Sequence, residues 1–262
     1  MQKLHFILLI FILTACDQSS GPGKQILVTE GRSQKIVDAY WLYLPKAYEQ
    51  KRKWPMIMYL QGGEASASPN PNTVRDAGPF YYITQPKSVL PDSFVIVNPH
   101  MRTGSRADRQ WYKNAAELAQ IVDEVVANHN VDPDRVYLAG LSRGGIGTWG
   151  TAKRFPEKFA AIIPVAGALT CKSRCEEIKN MPMWIMHNTG DPVIEYDYAE
   201  STVIHFESEF GKTFVQRSDV NIPTSKIEHP NIFSSIDSND HGVTEAFSTA
   251  VVYDWLLDKR KD

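Results

Sequence analysis

Three residue types in this chain, a serine, an aspartate and a histidine, stand in contexts that could carry out nucleophilic chemistry. Ser142 lies in "VDPDRVYLAGLSRGGIGTWG", Val131 to Gly150, between an apolar strand-like run and a small-residue helix-like run. The local pattern Gly140-Leu141-Ser142-Arg143-Gly144 is glycine, any residue, serine, any residue, glycine. Glycines two positions away on each side relieve crowding at a sharp strand-to-helix turn, so the hydroxyl can project at the start of a helix. A Gly-Ser-Gly cluster can equally mark nothing but a turn. A serine hydroxyl is a weak nucleophile near neutral pH and needs a histidine base, itself oriented by a carboxylate. The remaining residues must therefore supply both.

Of the seven histidines, His241 in "DSNDHGVTEAF" is the candidate base, because it sits in a polar loop after the last strand-like segment and before the final helix. His5 falls in the N-terminal apolar segment, His129 at a helix end, His205 inside a helical pattern, and His229 before a proline on the way into a strand. His100 follows a strand and can line a site, and His187 ends the strand "PMWIMHN" as a structural or pocket residue. For the carboxylate, Asp191 in "HNTGDPVIE" lies in the turn after that strand, with Asp237 and Asp240 as rivals too near the histidine in sequence to face its ring well. The order Ser142, Asp191, His241 is the chain order of α/β-hydrolases, not of chymotrypsin-like or subtilisin-like proteases. Acyl transfer also needs amide donors for an oxyanion. The amide of Arg143 follows the serine, and "YLQGGEA", Tyr59 to Ala65, offers the second donor from Gly63 or Glu64.

These residues require a scaffold that delivers loops to one edge. "WPMIMYL" and "SFVIVNP" are short apolar runs, as in strands buried on both faces, while "KIVDAYWLYLP" alternates like a half-exposed strand. "AAELAQIVDEVVANHN" places Leu118, Ile121, Val122, Val125 and Val126 at helical spacing. Strand "RVYLAG", helix "GGIGTWGTAKRFP", strand "FAAIIPVAG", short helix "CEEIKN" and strand "PMWIMHN" follow, then helix "DYAESTVIHFESEFG", a weaker segment "NIFSSID" and a closing helix "TEAFSTAVVYDWLLDKR". The expected class is α/β, a mostly parallel central sheet with helices on both faces, whose ligands bind at the carboxyl ends of the strands.

The first residues, "MQKLHFILLIFILTAC", combine an early lysine with an apolar run too short for a membrane span. "LTAC" resembles a bacterial lipobox, which implies a signal peptide over 1–15, a lipid-bearing Cys16, a flexible tether within 16–33 and one catalytic domain over 34–262. The expected location is the bacterial cell envelope, periplasm-facing or surface-exposed, with membrane attachment through the lipid only. Cys171 and Cys175, separated by three residues, suggest a local disulfide in an oxidising compartment, the alternative being half of a metal site. The net charge of −2 and the lack of a basic block before the final "DKRKD" give no support for nucleic-acid binding.

"YLQGGE", "VDPDRVYLAGLSRGGIGTWG", "RFPEKFAAIIPVAG", "PMWIMHNTGDPV" and "YDWLL" together resemble the secreted esterases that include polyhydroxybutyrate-depolymerase-like, feruloyl and acetyl-xylan esterases. The resemblance implies an α/β-hydrolase fold and hydrolysis of carboxylic esters in small or polymeric substrates, with Ser142 as nucleophile, Asp191 as acid, His241 as base, and neither metal nor cofactor. Gln61 stands where that group usually has a histidine, Arg143 where it has methionine or glutamine, and Asp240 where a glycine precedes the base. Arg143 would place a positive charge at the pocket mouth, Gln61 and Trp111 would line the pocket, and Trp149 would serve core packing. A serine peptidase of the same fold and a catalytically silent lipoprotein that binds a glycan or a protein are the alternatives.

Overall fold

Seven consecutive buried residues in "WPMIMYL" cannot be an amphipathic element, and the chain resolves them as the strand β3 (Trp54–Leu60) in the interior of a nine-stranded sheet. The computed structural model describes residues 23–32, 35–50, 53–63, 68–85, 88, 90–102, 105, 107–169, 174–219 and 228–261. The other strands are β1 (Lys24–Val28), β2 (Ala39–Leu44), β4 (Val95–His100), β5 (Val131–Leu141), β6 (Ala161–Val165), β7 (Met183–Asn188), β8 (Val215–Arg217) and β9 (Asn231–Ile236). Their order is β1-β2-β4-β3-β5-β6-β7-β9-β8. Among the described residues only β2 opposes the common direction, pairing antiparallel with β1 and β4, so the other strands end on one edge.

Helices cover both faces. On one side α3 (Ala115–Asn128), α4 (Arg143–Arg154) and α5 (Asp197–Phe210) contribute Leu118, Trp149 and Phe206 to a core with Met58 and Leu138. On the other, α2 (Gly78–Thr84) and α6 (Ala250–Leu257) pack Phe80 and Trp255 against Ile57, Ile96 and Trp184, while α1 (Asn72–Arg75) is a single turn. The expected α/β architecture with a mostly parallel sheet is borne out. Trp149 is a core residue, stacked on Phe206 with ring centroids 6.3 Å apart.

Several expectations need correction. Lys24–Val28 is paired with β2 along its whole length, so the tether cannot extend to residue 33, nor the domain begin at 34. The polar run with glycines at 21 and 23 leads directly into that strand, a short one whose side chains are mostly part-exposed. β2 alternates as expected but is not half-exposed: Tyr40 and Leu42 join the α3 side, whereas Tyr43 meets Phe80 of α2 at 5.7 Å. "CEEIKN" forms only a 3-10 turn at Glu176–Ile178, and the closing helix starts at Ala250 after a separate 3-10 turn at Thr244–Phe247. β8 is an unanticipated three-residue strand at the far edge.

Just past α5, Lys212 is buried with no anionic partner among the described residues, and its Nζ donates to the carbonyls of Lys179 (2.9 Å) and Met181 (2.8 Å) ahead of β7. Burial disfavours the ammonium and lowers its pKa from 10.5 to about 8. Between those two values the unfolded chain binds the extra proton, so stability rises with pH across that window and the full cost of the buried charge applies below it. Denaturant titrations at intervals from pH 7 to 10 should show a steeper rise in unfolding free energy for the native chain than for Lys212→Gln above pH 8, and parallel behaviour below it.

Candidate active site

β5 delivers Leu141 to the edge of the sheet and α4 begins at Arg143, leaving Ser142 alone to turn the chain. Its backbone adopts φ 57° and ψ −117°, a conformation costly for any residue with a Cβ. The turn is held by Ser142 N donating to Val165 O of β6 at 2.8 Å and by Ile146 N donating to Ser142 O at 2.9 Å. It also needs α4 pressed against β3: a Cβ on Gly144 would lie 1.8 Å from Leu60 O. That contact explains the second glycine of the motif.

The two partners arrive from neighbouring strands. Asp191 follows β7, His241 follows β9, and these strands pair in parallel from Met183–Asn231 to Asn188–Ile236. Pairing continues past the strand ends, with Thr189 N donating to Ile236 O (2.8 Å) and Gly190 N to Ser238 O (3.0 Å), so the two loops leave the sheet together. His241 Nε2 lies 2.8 Å from Ser142 Oγ, and its Nδ1 lies 2.9 Å from both carboxylate oxygens of Asp191. The three residues named from the sequence thus meet in one continuous hydrogen-bonded chain.

The carboxylate is set before it meets the histidine. Asp191 Oδ1 accepts the amides of Val193 (2.8 Å) and Ile194 (3.0 Å). Burial by itself raises the Asp191 pKa, but the Ile194 and Val193 amides, joined by His241, outweigh it and keep the carboxyl below its ordinary range. It therefore stays ionised wherever the protein is folded near neutral pH, able to accept from Nδ1–H and leave Nε2 as the acceptor toward the serine.

Two further residues hold this arrangement, and no motif in the sequence announced them as such. Asn188, the last residue of β7, donates from Nδ2 to the carbonyls of Asp240 and Gly242, each at 3.0 Å, and so grips the chain on both sides of His241. His187, its neighbour, is fully buried; its Nε2 lies 2.9 Å from Ile194 O and 3.4 Å from Asp191 Oδ2. Burial lowers its pKa and keeps it neutral, against smaller opposite effects of the Ile194 carbonyl and Asp191. Position at a strand end was the available signal for both, and it does not separate a positioning side chain from a core one. Asp240 offers its carbonyl to this clamp, not its carboxylate to the base.

The glycine-rich loop after β3 runs beside the nucleophile, since a Cβ on Gly62 would meet Ser142 Cβ at 3.1 Å. Gln61 Oε1 accepts Gly62 N at 3.1 Å, and Arg143 Nη1 donates to Gly63 O at 2.5 Å. The arginine expected at the pocket mouth therefore directs its guanidinium to that loop. Glu64 lies outside the described residues. Trp111 corrects the sequence expectation: it is completely buried and does not line an open pocket. Its chain folds into a 3-10 turn, Trp111–Asn114, against α4 at Gly147, and the indole N–H donates to Gln61 O at 2.9 Å. His100 is likewise engaged, Nδ1 with Asp38 (2.8 Å) and Nε2 with Ser68 O (2.5 Å). Cys175 is disulfide-bonded, while Cys171 and Cys16 lie outside the described residues. Among the described residues no three His, Cys, Asp or Glu side chains gather as a metal site.

Comparison with known proteins finds esterases among the relatives of this chain. A bifunctional acetylxylan esterase/xylanase of Neocallimastix patriciarum is 30% identical over 141 residues, covering 53% of this chain and 21% of that protein. This chain thus spans about a fifth of that relative. The probable feruloyl esterase C of Aspergillus terreus is 25% identical over 221 residues, 82% of this chain and 76% of the other. The solved ferulic acid esterase of Anaeromyces mucronatus superposes with a TM-score of 0.60 at 16% identity, over 91% of this chain and 90% of that one, a likeness of fold. The resemblance to feruloyl and acetyl-xylan esterases is borne out. With the phospholipase/carboxylesterase family model matching residues 57–225, the chain belongs to that family of α/β-hydrolases.

Proposed function

We propose that this protein is a serine hydrolase of carboxylic esters acting through an acyl-enzyme. The observation that carries the proposal is the chain of hydrogen bonds from Ser142 Oγ through His241 to Asp191. His241 Nε2 takes the hydroxyl proton as Oγ attacks the ester carbonyl, and Asp191 stabilises the imidazolium that forms. The oxyanion is received by the amide of Arg143, at the start of α4 where the helix dipole favours negative charge, and by an amide of the loop after Gly62, from Gly63 or Glu64. Collapse returns the proton to the leaving alcohol. Water, activated by the same histidine, then attacks the acyl-serine and releases the acid.

Acetyl or feruloyl esters on polysaccharide, or polyester links, are the substrate classes that the relatives' names suggest. The "LTAC" motif supports export and attachment through lipid on Cys16, with residues from Asp17 as the tether, at the envelope of a bacterium. No helix among the described residues is long and apolar enough to cross a membrane. The peptidase reading is tested alongside, since a dipeptidyl-peptidase 5 of Porphyromonas gingivalis is also related, 25% identical over 167 residues.

Purified domain should hydrolyse p-nitrophenyl acetate and butyrate faster than dipeptide p-nitroanilides, and Ser142→Ala should lose on the order of 10⁴-fold or more in kcat. Turnover unaffected by that change would end the esterase proposal. Asn188→Ala should lower kcat roughly ten- to a hundredfold with little change in KM, because it frees the histidine loop without touching substrate. The depressed pKa of Asp191 also has a stability consequence: its hydrogen bonds as a carboxylate are fully present above its unfolded pKa and vanish as pH falls through the lower folded value. The stability gap between the native chain and Asp191→Asn should accordingly narrow as unfolding is measured from pH 6 down through pH 3.

A further inference from the structure

The sheet fixes where the N-terminal attachment enters relative to the catalytic edge. β1 is antiparallel to β2, and β2 antiparallel to β4, so β1 runs in the same direction as β3, β5 and β7. The chain therefore joins the domain at Lys24 from the edge opposite to Ser142, Asp191 and His241. One row across the sheet runs Gln25, Tyr43, Ile96, Ile57, Tyr137. Lys24 is one step below that row and Ser142 is five residues above it on β5 and its turn. At about 3.3 Å per residue, the serine stands about 20 Å beyond Lys24 along the strands, and four strand spacings of about 4.8 Å displace it about 19 Å sideways.

Cys16 precedes Lys24 by eight residues. Such a segment spans at most about 27 Å when straight, and about 16 Å as a flexible coil. Setting the catalytic edge on a membrane would raise Lys24 about 20 Å above it, plus the depth of the loops beyond Ser142, which leaves the tether nearly straight. The opposite orientation leaves it relaxed.

We propose that the anchored protein holds its catalytic edge facing away from the membrane, so that the esters it cleaves are soluble or polymer-borne and not lipids of the leaflet that carries the anchor. This rests on the lipid-anchored reading of Cys16 given above. The class of substrate follows from the topology: an ester that can reach a site lifted tens of ångströms from the bilayer. Val193, two residues past Asp191, is exposed on that edge, with 66% of its surface accessible.

The test uses the full lipidated chain in vesicles containing headgroup-labelled acceptor lipid. A donor dye is attached at Val193→Cys, on the catalytic edge, or at Glu157→Cys, in the 3-10 turn before β6 on the opposite edge. Energy transfer should be clearly stronger from position 157 than from 193, and equal or reversed transfer overturns the proposal. A second arm inserts twenty Gly/Ser residues between Ser20 and Gly21. Hydrolysis of a fluorogenic acyl ester embedded in the same vesicles, normalised to p-nitrophenyl butyrate, should rise at least severalfold with the insertion. An unlengthened protein that cleaves the embedded ester equally well overturns it. Failure of the native chain to float with vesicles, where Cys16→Ser behaves the same, instead overturns the anchored reading itself.

Discussion

The backbone of Ser142 is the constraint on which the site depends. A non-glycine residue at φ 57° and ψ −117° costs on the order of 1–3 kcal/mol and persists only when its surroundings leave the chain no alternative. Here they do so from three directions. β6 takes the Ser142 amide through Val165 O, α4 takes its carbonyl through Ile146 N, and β3 comes so close that only glycine fits at position 144. The strain is thus stabilised by the same sheet and helix contacts that make the core, and the hydroxyl is delivered at a helix N-terminus as a result.

The base and the acid are positioned by a different device. Their separation is set not by one strained residue but by two adjacent strands that continue to pair after they leave the sheet. Successive residues of a strand point to opposite faces, and β7 uses this at its end. His187 is turned to the Asp191–Ile194 turn, and Asn188 to the loop around His241. One dipeptide therefore fixes the carboxylate and the imidazole relative to the same backbone. A change in either side chain moves one partner of the His241–Asp191 bond with respect to the other.

The sequence made the reacting groups more legible than their supports, for a physical reason. Ser142 is marked by glycines that a strained turn demands, and Asp191 and His241 by falling in polar loops after apolar runs. These are local properties. The alternation of β2 correctly divided Tyr40 and Leu42 from Tyr43, yet could not reveal that helices cover both faces, because burial is decided by distant segments. β1 was missed for the same reason: its backbone pairs with β2 while its side chains stay largely outside the core. Trp111 followed a strand on the correct edge, but the space between α4 and the loop after β3 draws a large apolar ring inward.

That inward turn alters how selectivity must be explained. An arginine after the nucleophile invites the idea of a charge that selects acidic substrates, and a tryptophan nearby invites stacking on an aromatic acyl group. Both side chains instead bind the loop that faces the serine, Arg143 through Gly63 O and Trp111 through Gln61 O. A hydrogen bond from a charged donor to a carbonyl is stronger than a neutral one, so the guanidinium stiffens the loop beside the nucleophile. Their contribution is preorganisation common to every ester.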